Sequence, residues 1–165
     1  MRLVEAVVSA GVSIVQIREK SLTARVLFEL ATRASSITRG NRTRLLVNDR
    51  FDVARAAGAD GVHLTSRSLP AHVVREICGR DFLIGVSTHS LDEAQAAAET
   101  ADFVIFGPVF ETGSKQPQGL DKLREVTSAL KGFPVVAIGG INNENAAQCY
   151  EAGASGIAAI RMFSK

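Results

Sequence analysis

At 165 residues, with 46% hydrophobic and 22% charged residues, the chain is long enough to enclose one domain's core. Its 19 basic and 17 acidic residues leave a formal charge of +2, with no run of Lys or Arg and no Trp, so neither a nucleic-acid face nor base stacking on exposed rings is indicated. No run of about 18 apolar residues marks a membrane span, and Met1–Glu5 lacks the basic region that leads a secretory signal.

The chain opens in a helical stretch, and a short apolar strand, Ser13–Ile17, follows it. Gln16-Ile17-Arg18-Glu19-Lys20 ends that strand in a dense polar cluster. There Arg18 and Lys20 suit a diphosphate and Gln16 suits a base or a metal-bound water; a solvated loop is the plain alternative. Ser21–Thr38 has helical composition, and Arg44–Asn48 is the next strand. Its end, Asn48-Asp49, offers a carboxylate for Mg²⁺ if phosphate supplies most other ligands. Equally, Asp49 suits the N-cap of the following helix, Arg50–Ala57. Gly61–Thr65 is a third strand and carries His63. Pro70 fits the first turn of a helix over Leu69–Cys78.

The strand Leu83–Ser87 runs into Thr88, His89 and Ser90, polar residues able to cap a helix over Leu91–Glu99. After the strand Phe103–Gly107 comes a loop with Glu111, Thr112, Gly113, Ser114 and Lys115. Two hydroxyls and a Lys around a Gly can wrap an anion; an ordinary mobile loop is the alternative. A helix is expected over Leu120–Leu130. Val135–Ile138 then runs into Gly139-Gly140 and a helix start at Asn142, over Asn142–Glu151, where backbone N–H groups suit a phosphate. The last strand, Gly156–Ile160, ends beside Arg161, and the last two loops of a barrel recurrently hold phosphate. His63, His72 and His89 show no paired zinc spacing and read as structural. Cys78 and Cys149 lack CxxC spacing, so free thiols in a soluble, cytoplasmic protein are expected.

Three joints repeat: Ala10-Gly11-Val12, Ala57-Gly58-Ala59 and Ala152-Gly153-Ala154. At each, a helix ends, Gly takes the left-handed C′ position, and a buried strand begins. The strands are short, rich in Val, Ile and Leu, and lack clean alternation, as strands covered on both faces of a parallel sheet do. Strand–helix alternation with short loops implies right-handed crossovers and an α/β chain. A GxGxxG fingerprint is absent after the first strand, which argues against the open dinucleotide-binding sheet. Polar residues at nearly every strand end converge only if the sheet closes, which points to the active face of a TIM (β/α)8 barrel. About seven strands are found where a barrel takes eight. The expectation is therefore a single barrel domain over residues 1–165, truncated of its first strand and last helix, with an open edge that a homo-oligomer would fill.

QIREK at Gln16–Lys20, ND at Asn48-Asp49, AGADGVHL at Ala57–Leu64, GVSTHS at Gly85–Ser90, GPVFETGSK at Gly107–Lys115 and VAIGGI at Val136–Ile141 occur together. In order and spacing the chain resembles the thiamine phosphate synthase family over essentially its whole length. It is also similar to the sister thiazole tautomerases. The resemblance implies transfer of a hydroxymethylpyrimidine group from its diphosphate to the nitrogen of thiazole phosphate, with Mg²⁺ as cofactor. Carried over by position, Gln16, Arg18, Lys20 and Asn48 would face the pyrimidine diphosphate, and Asp49 would bind Mg²⁺. Ser87 and Lys115 would contact the diphosphate, and with Arg18 and Lys20 make up the catalytic group. Thr112, Ser114, Gly139, Gly140, Ile160 and Arg161 would cradle the thiazole phosphate.

Departures from the pattern accompany the likeness. The synthases carry a GQED segment where this chain has Thr65-Ser66-Arg67-Ser68, so Ser68 stands in place of a second Mg²⁺ carboxylate and weaker metal binding and doubtful transferase activity are expected. Arg161 stands where a Ser is usual. The tautomerases often carry a His where Pro108 sits, so an isomerase of that type would need His89 or Glu111 to move the proton. A non-catalytic binder of thiazole phosphate or thiamine phosphate, or an inactive fragment, completes the alternatives.

Overall fold

The computed structural model describes residues 1–113, 116–160 and 162. They fall into two compact units, Met1–Ile84 and Gly85–Lys165, with the division inside one strand.

The first unit alternates α1 (Arg2–Ser9), β1 (Ile14–Ile17), α2 (Ala24–Thr38), β2 (Arg44–Asn48), α3 (Phe51–Ala56), β3 (Gly61–Leu64) and α4 (Ala71–Cys78), and ends with the first residues of β4 (Leu83–Thr88). β1 pairs with β2 in parallel, Ile14 opposite Arg44 and Ile17 opposite Val47. β2 pairs with β3 in the same sense, Asn48 opposite His63. Leu83 opens β4 by donating its N–H to the Asp60 carbonyl (2.9 Å). Leu45, Leu46 and Val47 of β2 are consecutive and buried, as are all four residues of β3. That is why these strands read as unbroken apolar runs rather than as alternation. Each fully buried Leu or Val contributes about 1.5–3 kcal/mol. α2 starts where Thr23 accepts the Val26 N–H (3.4 Å), and it buries Leu27, Ala31, Ala34, Ser35 and Thr38. Those positions share one helical face, and α2 packs between α1 and α3.

The second unit holds the rest of β4, then α5 (Leu91–Ala98), β5 (Phe103–Phe106), α6 (Gly119–Ala129), β6 (Val135–Ile138), α7 (Ala146–Glu151) and β7 (Gly156–Ala158). Neighbours in that order pair in parallel: Ser87 lies opposite Ile105, Phe106 opposite Ala137, and Ile138 opposite Ala158. Its core gathers Val104 and Phe106 of β5, Leu123 and Val126 of α6, Val135 and Ala137 of β6, and Cys149 of α7. Cys78 and Cys149 are both buried free thiols.

Parallel pairing places all strand C-termini of a unit at one end, and the joints at the other end share one construction. Val12, Ala59 and Ala154 donate to the carbonyls of Val7, Ala54 and Cys149 at 2.9–3.0 Å, while Gly11, Gly58 and Gly153 donate to Val8, Arg55 and Tyr150. These paired bonds form the Schellman motif, with Gly in the left-handed conformation at φ +70, +69 and +89.

Most element ends shift by a few residues from the sequence reading, and three of the shifts bear on the strand ends. Pro70 is the residue before α4 rather than part of its first turn. The last strand stops at Ala158, short of Ile160. α7 starts at Ala146, not Asn142, because Asn142 and Asn145 build a turn of their own. There the Asn142 side chain accepts from the N–H groups of Glu144 (2.8 Å) and Asn145 (3.1 Å), while Asn145 Oδ1 accepts from the Asn142 N–H (2.9 Å). Such side chains compete with the helix for backbone donors.

Candidate active site

Among the described residues, the functional side chains expected from the sequence lie at or after the C-terminal strand ends of each unit. In the first unit, Gln16 Nε2 donates to Asn48 Oδ1 across β1 and β2 (3.2 Å), so two residues expected on the pyrimidine orient one another. Asp49 follows Asn48 directly, and its N–H donates to the His63 carbonyl on β3 (2.8 Å). Asp49 has φ +65, the one non-glycine residue in that region among those described. Asp tolerates it better than most residues, but it still carries strain.

The capping alternative for Asp49 does not hold. The N-cap position of α3 is Arg50, and no side chain caps it. Arg50 instead grips Asp52 through two bonds (2.8 and 2.6 Å). That hydrogen bond is the main cause of the raised Arg50 pKa and the lowered Asp52 pKa. Asp49 is left exposed at the strand end.

Arg18 and Lys20 stand exposed just after β1, and among the described residues neither forms an ion pair. Arg18 acts on His63, whose pKa falls to about 4, chiefly through burial and secondarily through the Arg18 charge. His63 is therefore a neutral, buried residue (6% exposed) at neutral pH.

Ser68 serves its own turn. Its Oγ accepts the Thr65 N–H (2.8 Å) and lies 3.2 Å from Thr65 Oγ1, while its N–H returns to the Thr65 carbonyl (3.0 Å). Among the described residues no three His, Cys, Asp or Glu side chains gather as a metal cage. Asp49 fits a metal of another kind, Mg²⁺ held by one carboxylate and by phosphate oxygens of a substrate.

In the second unit, Ser87 is half-buried near the end of β4, and Thr88 beside it is buried. Ser90 caps α5 by accepting the Glu93 N–H (3.2 Å), as its position suggested. The loop after β5 begins with a cis Gly107-Pro108 bond. It closes on the end of β6 through Val109 N–H to the Ile138 carbonyl (2.8 Å) and Phe110 N–H to the Gly139 carbonyl (3.0 Å). Gly139 and Gly140 make that approach possible. A Cβ on Gly139 would stand 2.4 Å from Pro108 Cβ, and one on Gly140 would stand 2.6 Å from the Glu111 carbonyl. So residues 107–111, which lead into the loop expected to wrap an anion, lie against the paired glycines. Thr112 and Gly113 continue the loop as exposed residues, and Ile160 is exposed beyond β7. Ser114, Lys115 and Arg161 lie outside the described residues.

One residue of this end, Asn145, escaped the sequence reading, and His89 makes a bond that the reading did not assign to it. Asn145 donates its side-chain N–H to the Gly140 carbonyl (3.0 Å), which fixes the second glycine's peptide. The Asn-x-x-Asn spacing was its only signal. His89 turns its ring to the Gly107 carbonyl, and nothing in the sequence marks that bond.

Comparisons with known proteins agree on one family. The family model described as thiamine monophosphate synthase matches residues 1–163. A thiamine-phosphate synthase of Chlorobium phaeovibrioides is 45% identical over 160 residues, spanning 94% of this chain and 76% of that protein. One from Moorella thermoacetica is 42% identical over 165 residues, spanning 97% of this chain and 78% of that protein. A solved thiamine phosphate pyrophosphorylase from Pyrococcus furiosus superimposes with a TM-score of 0.89 at 38% identity, covering 96% of this chain and 78% of that one. The fold class is therefore the one expected, α/β of the TIM-barrel type.

Proposed function

The chain belongs to the thiamine monophosphate synthase family, and on that premise we propose that it is a transferase of thiamine biosynthesis. It joins hydroxymethylpyrimidine diphosphate to thiazole phosphate and releases pyrophosphate. The observation that carries this reading is the Gln16–Asn48 bond beside Asp49, in a chain 42% and 45% identical to proteins named for that reaction.

The bond between the pyrimidine methylene carbon and the diphosphate oxygen breaks, and its electron pair leaves with pyrophosphate. The nitrogen lone pair of the thiazole then forms the new C–N bond. No proton needs to move to or from a side chain in that exchange. The chain's task is to orient the substrates and to stabilise negative charge on the leaving group. Gln16 and Asn48 hold the pyrimidine diphosphate. Arg18 and Lys20, with Ser87 and Lys115, take the charge that develops on pyrophosphate. Asp49 would hold Mg²⁺, which when bound neutralises part of the diphosphate charge. Thr112, Ser114, Gly139, Gly140, Ile160 and Arg161 receive the thiazole phosphate. The two buried free thiols support a reducing compartment such as the cytoplasm; no described helix is long and apolar enough to cross a membrane.

The test supplies both substrates and Mg²⁺ to the purified protein and follows thiamine phosphate by its oxidation to a fluorescent thiochrome. Product that depends on both substrates is expected. No product, where a relative's synthase works in the same mixture, rejects the reading.

A further inference from the structure

We propose that His89 is a positioning residue whose ring holds the Gly107–Phe110 turn in place and thereby presents Thr112 beyond it to the thiazole phosphate. Its catalytic consequence rests on the function proposed above; its hold on the turn does not.

His89 is itself firmly set. Its N–H donates to Glu93 Oε2 (2.7 Å), and the Glu93 N–H returns to Ser90 Oγ (3.2 Å), so the start of α5 fixes the backbone on which the ring is carried. The ring's Nδ1 bonds the Gly107 carbonyl. A carbonyl only accepts, so Nδ1 carries the proton, and in the neutral ring Nε2 is left as the acceptor. The Gly107 N–H meanwhile donates to the Thr88 carbonyl (3.2 Å). One strand end thus holds Gly107 by both its amide and its carbonyl.

From Gly107 onward the turn is stitched by backbone alone. Val109 and Phe110 donate to Ile138 and Gly139, the Gln118 N–H donates to the Pro108 carbonyl (2.7 Å), and the Gly119 N–H donates to the Val109 carbonyl (3.1 Å). Among the described residues His89 supplies the one side-chain bond to residues 107–110. It is therefore the member of this network that substitution can remove cleanly. Thr112 follows two residues after Phe110, so an error in the turn's placement is passed to it.

The bond also separates positioning from proton transfer. Nδ1 keeps a hydrogen to donate in either charge form of the ring, so the hold on Gly107 needs no proton to be moved, whereas a proton shuttle does. Asn carries an N–H donor at the place of Nδ1 but has no counterpart of Nε2 and no titrating group.

The experiment compares His89→Ala and His89→Asn with the wild-type chain, after melting curves establish that each is folded. Amide hydrogen exchange is read at Val109 and Phe110 in the free protein, and KM and kcat are read for each substrate. In His89→Ala, exchange at those amides rises about fivefold, the equivalent of one net hydrogen bond. KM for thiazole phosphate rises by a similar factor, with KM for the pyrimidine diphosphate changed less. His89→Asn brings both back to within about twofold of wild type, since the donor is restored. Unchanged exchange in His89→Ala overturns the proposal. So does His89→Asn with wild-type exchange but the kinetics of His89→Ala, because Nε2 would then be the atom that matters. A wild-type chain that makes no product rejects the function, while the exchange comparison still decides whether His89 holds the turn.

Discussion

Replacing Gly139 by Ala tests how closely the 107–110 turn sits on the end of β6. Gly139 has φ +101, outside the region that side chains readily occupy, and that alone costs about 1–2 kcal/mol. The added Cβ also meets Pro108 Cβ at 2.4 Å and Pro108 Cα at 2.5 Å. Ordinary carbon contacts are roughly 3.5–4.0 Å, so about 1 Å of movement is needed. Pro108 is poorly placed to yield it. Its carbonyl accepts from Gln118, and the next two residues donate to Ile138 and to Gly139 itself. Overpacking of this kind costs about 1–3 kcal/mol, which brings the expected loss to about 3 kcal/mol, or about 10 °C of melting temperature in a chain of this size. The matched control is Gly11→Ala, where φ is +70 and no atom lies within 4 Å of the new Cβ. It carries the backbone strain without the collision and is expected to lose about 1 kcal/mol. Urea titrations with a shared slope would measure both. If Gly139→Ala loses no more than Gly11→Ala, the methyl group has found room, and the close seat of the turn on the paired glycines is refuted.

Three further outcomes are expected. Thr88→Val should gain about 1 kcal/mol in a urea melt, because Thr88 Oγ1 is buried without a hydrogen-bond partner among the described residues; a loss would reveal a partner for the hydroxyl. His63 takes its proton at about 6.5 when unfolded but only near 4 when folded. Stability is therefore complete above pH 6.5 and falls as pH drops toward 4, by about 3 kcal/mol from this residue. Melts of His63→Gln across that window should show a shallower decline, and an unchanged slope would mean His63 is not the titrating group. Asp49→Asn should leave stability nearly unchanged, since Asn also accepts φ +65, yet raise the Mg²⁺ concentration for half-maximal rate at least about tenfold; an unaltered Mg²⁺ titration removes Asp49 from the metal's ligands.

The parts legible in the sequence are those where one physical requirement dominates. A strand covered on both faces must be apolar throughout, so Leu45-Leu46-Val47 and Phe103–Phe106 announce themselves. A helix turning straight into a strand needs a left-handed residue, so Gly11, Gly58 and Gly153 mark their joints. Legibility fails where a side chain meets a backbone carbonyl far along the chain. The His89–Gly107 bond spans 18 positions, and any residue at 107 would offer the same acceptor. It fails again where polar residues compatible with a helix spend their bonds on one another, as Asn142 and Asn145 do before α7.

Asp49 shows what the structure adds when sequence leaves two readings level. A carboxylate between a strand and a helix satisfies the composition of an N-cap and of a metal ligand alike. Geometry separates them, because a capping residue is extended and accepts from the first turn, whereas Asp49 is left-handed and Arg50 occupies the cap position without a side-chain bond. Arg50 makes no hydrogen bond to it, because that guanidinium is taken up by Asp52, although the Asp49 charge adds to the raised Arg50 pKa. A carboxylate that strains its backbone, caps nothing and forms no salt bridge among the described residues draws only the long-range attraction of Arg50 in return. Strain of that kind persists where the group serves a ligand. At the end of β2, one residue after Asn48, an exposed carboxylate of this kind accords with the Mg²⁺ role proposed above, and the Mg²⁺ titration of Asp49→Asn decides it.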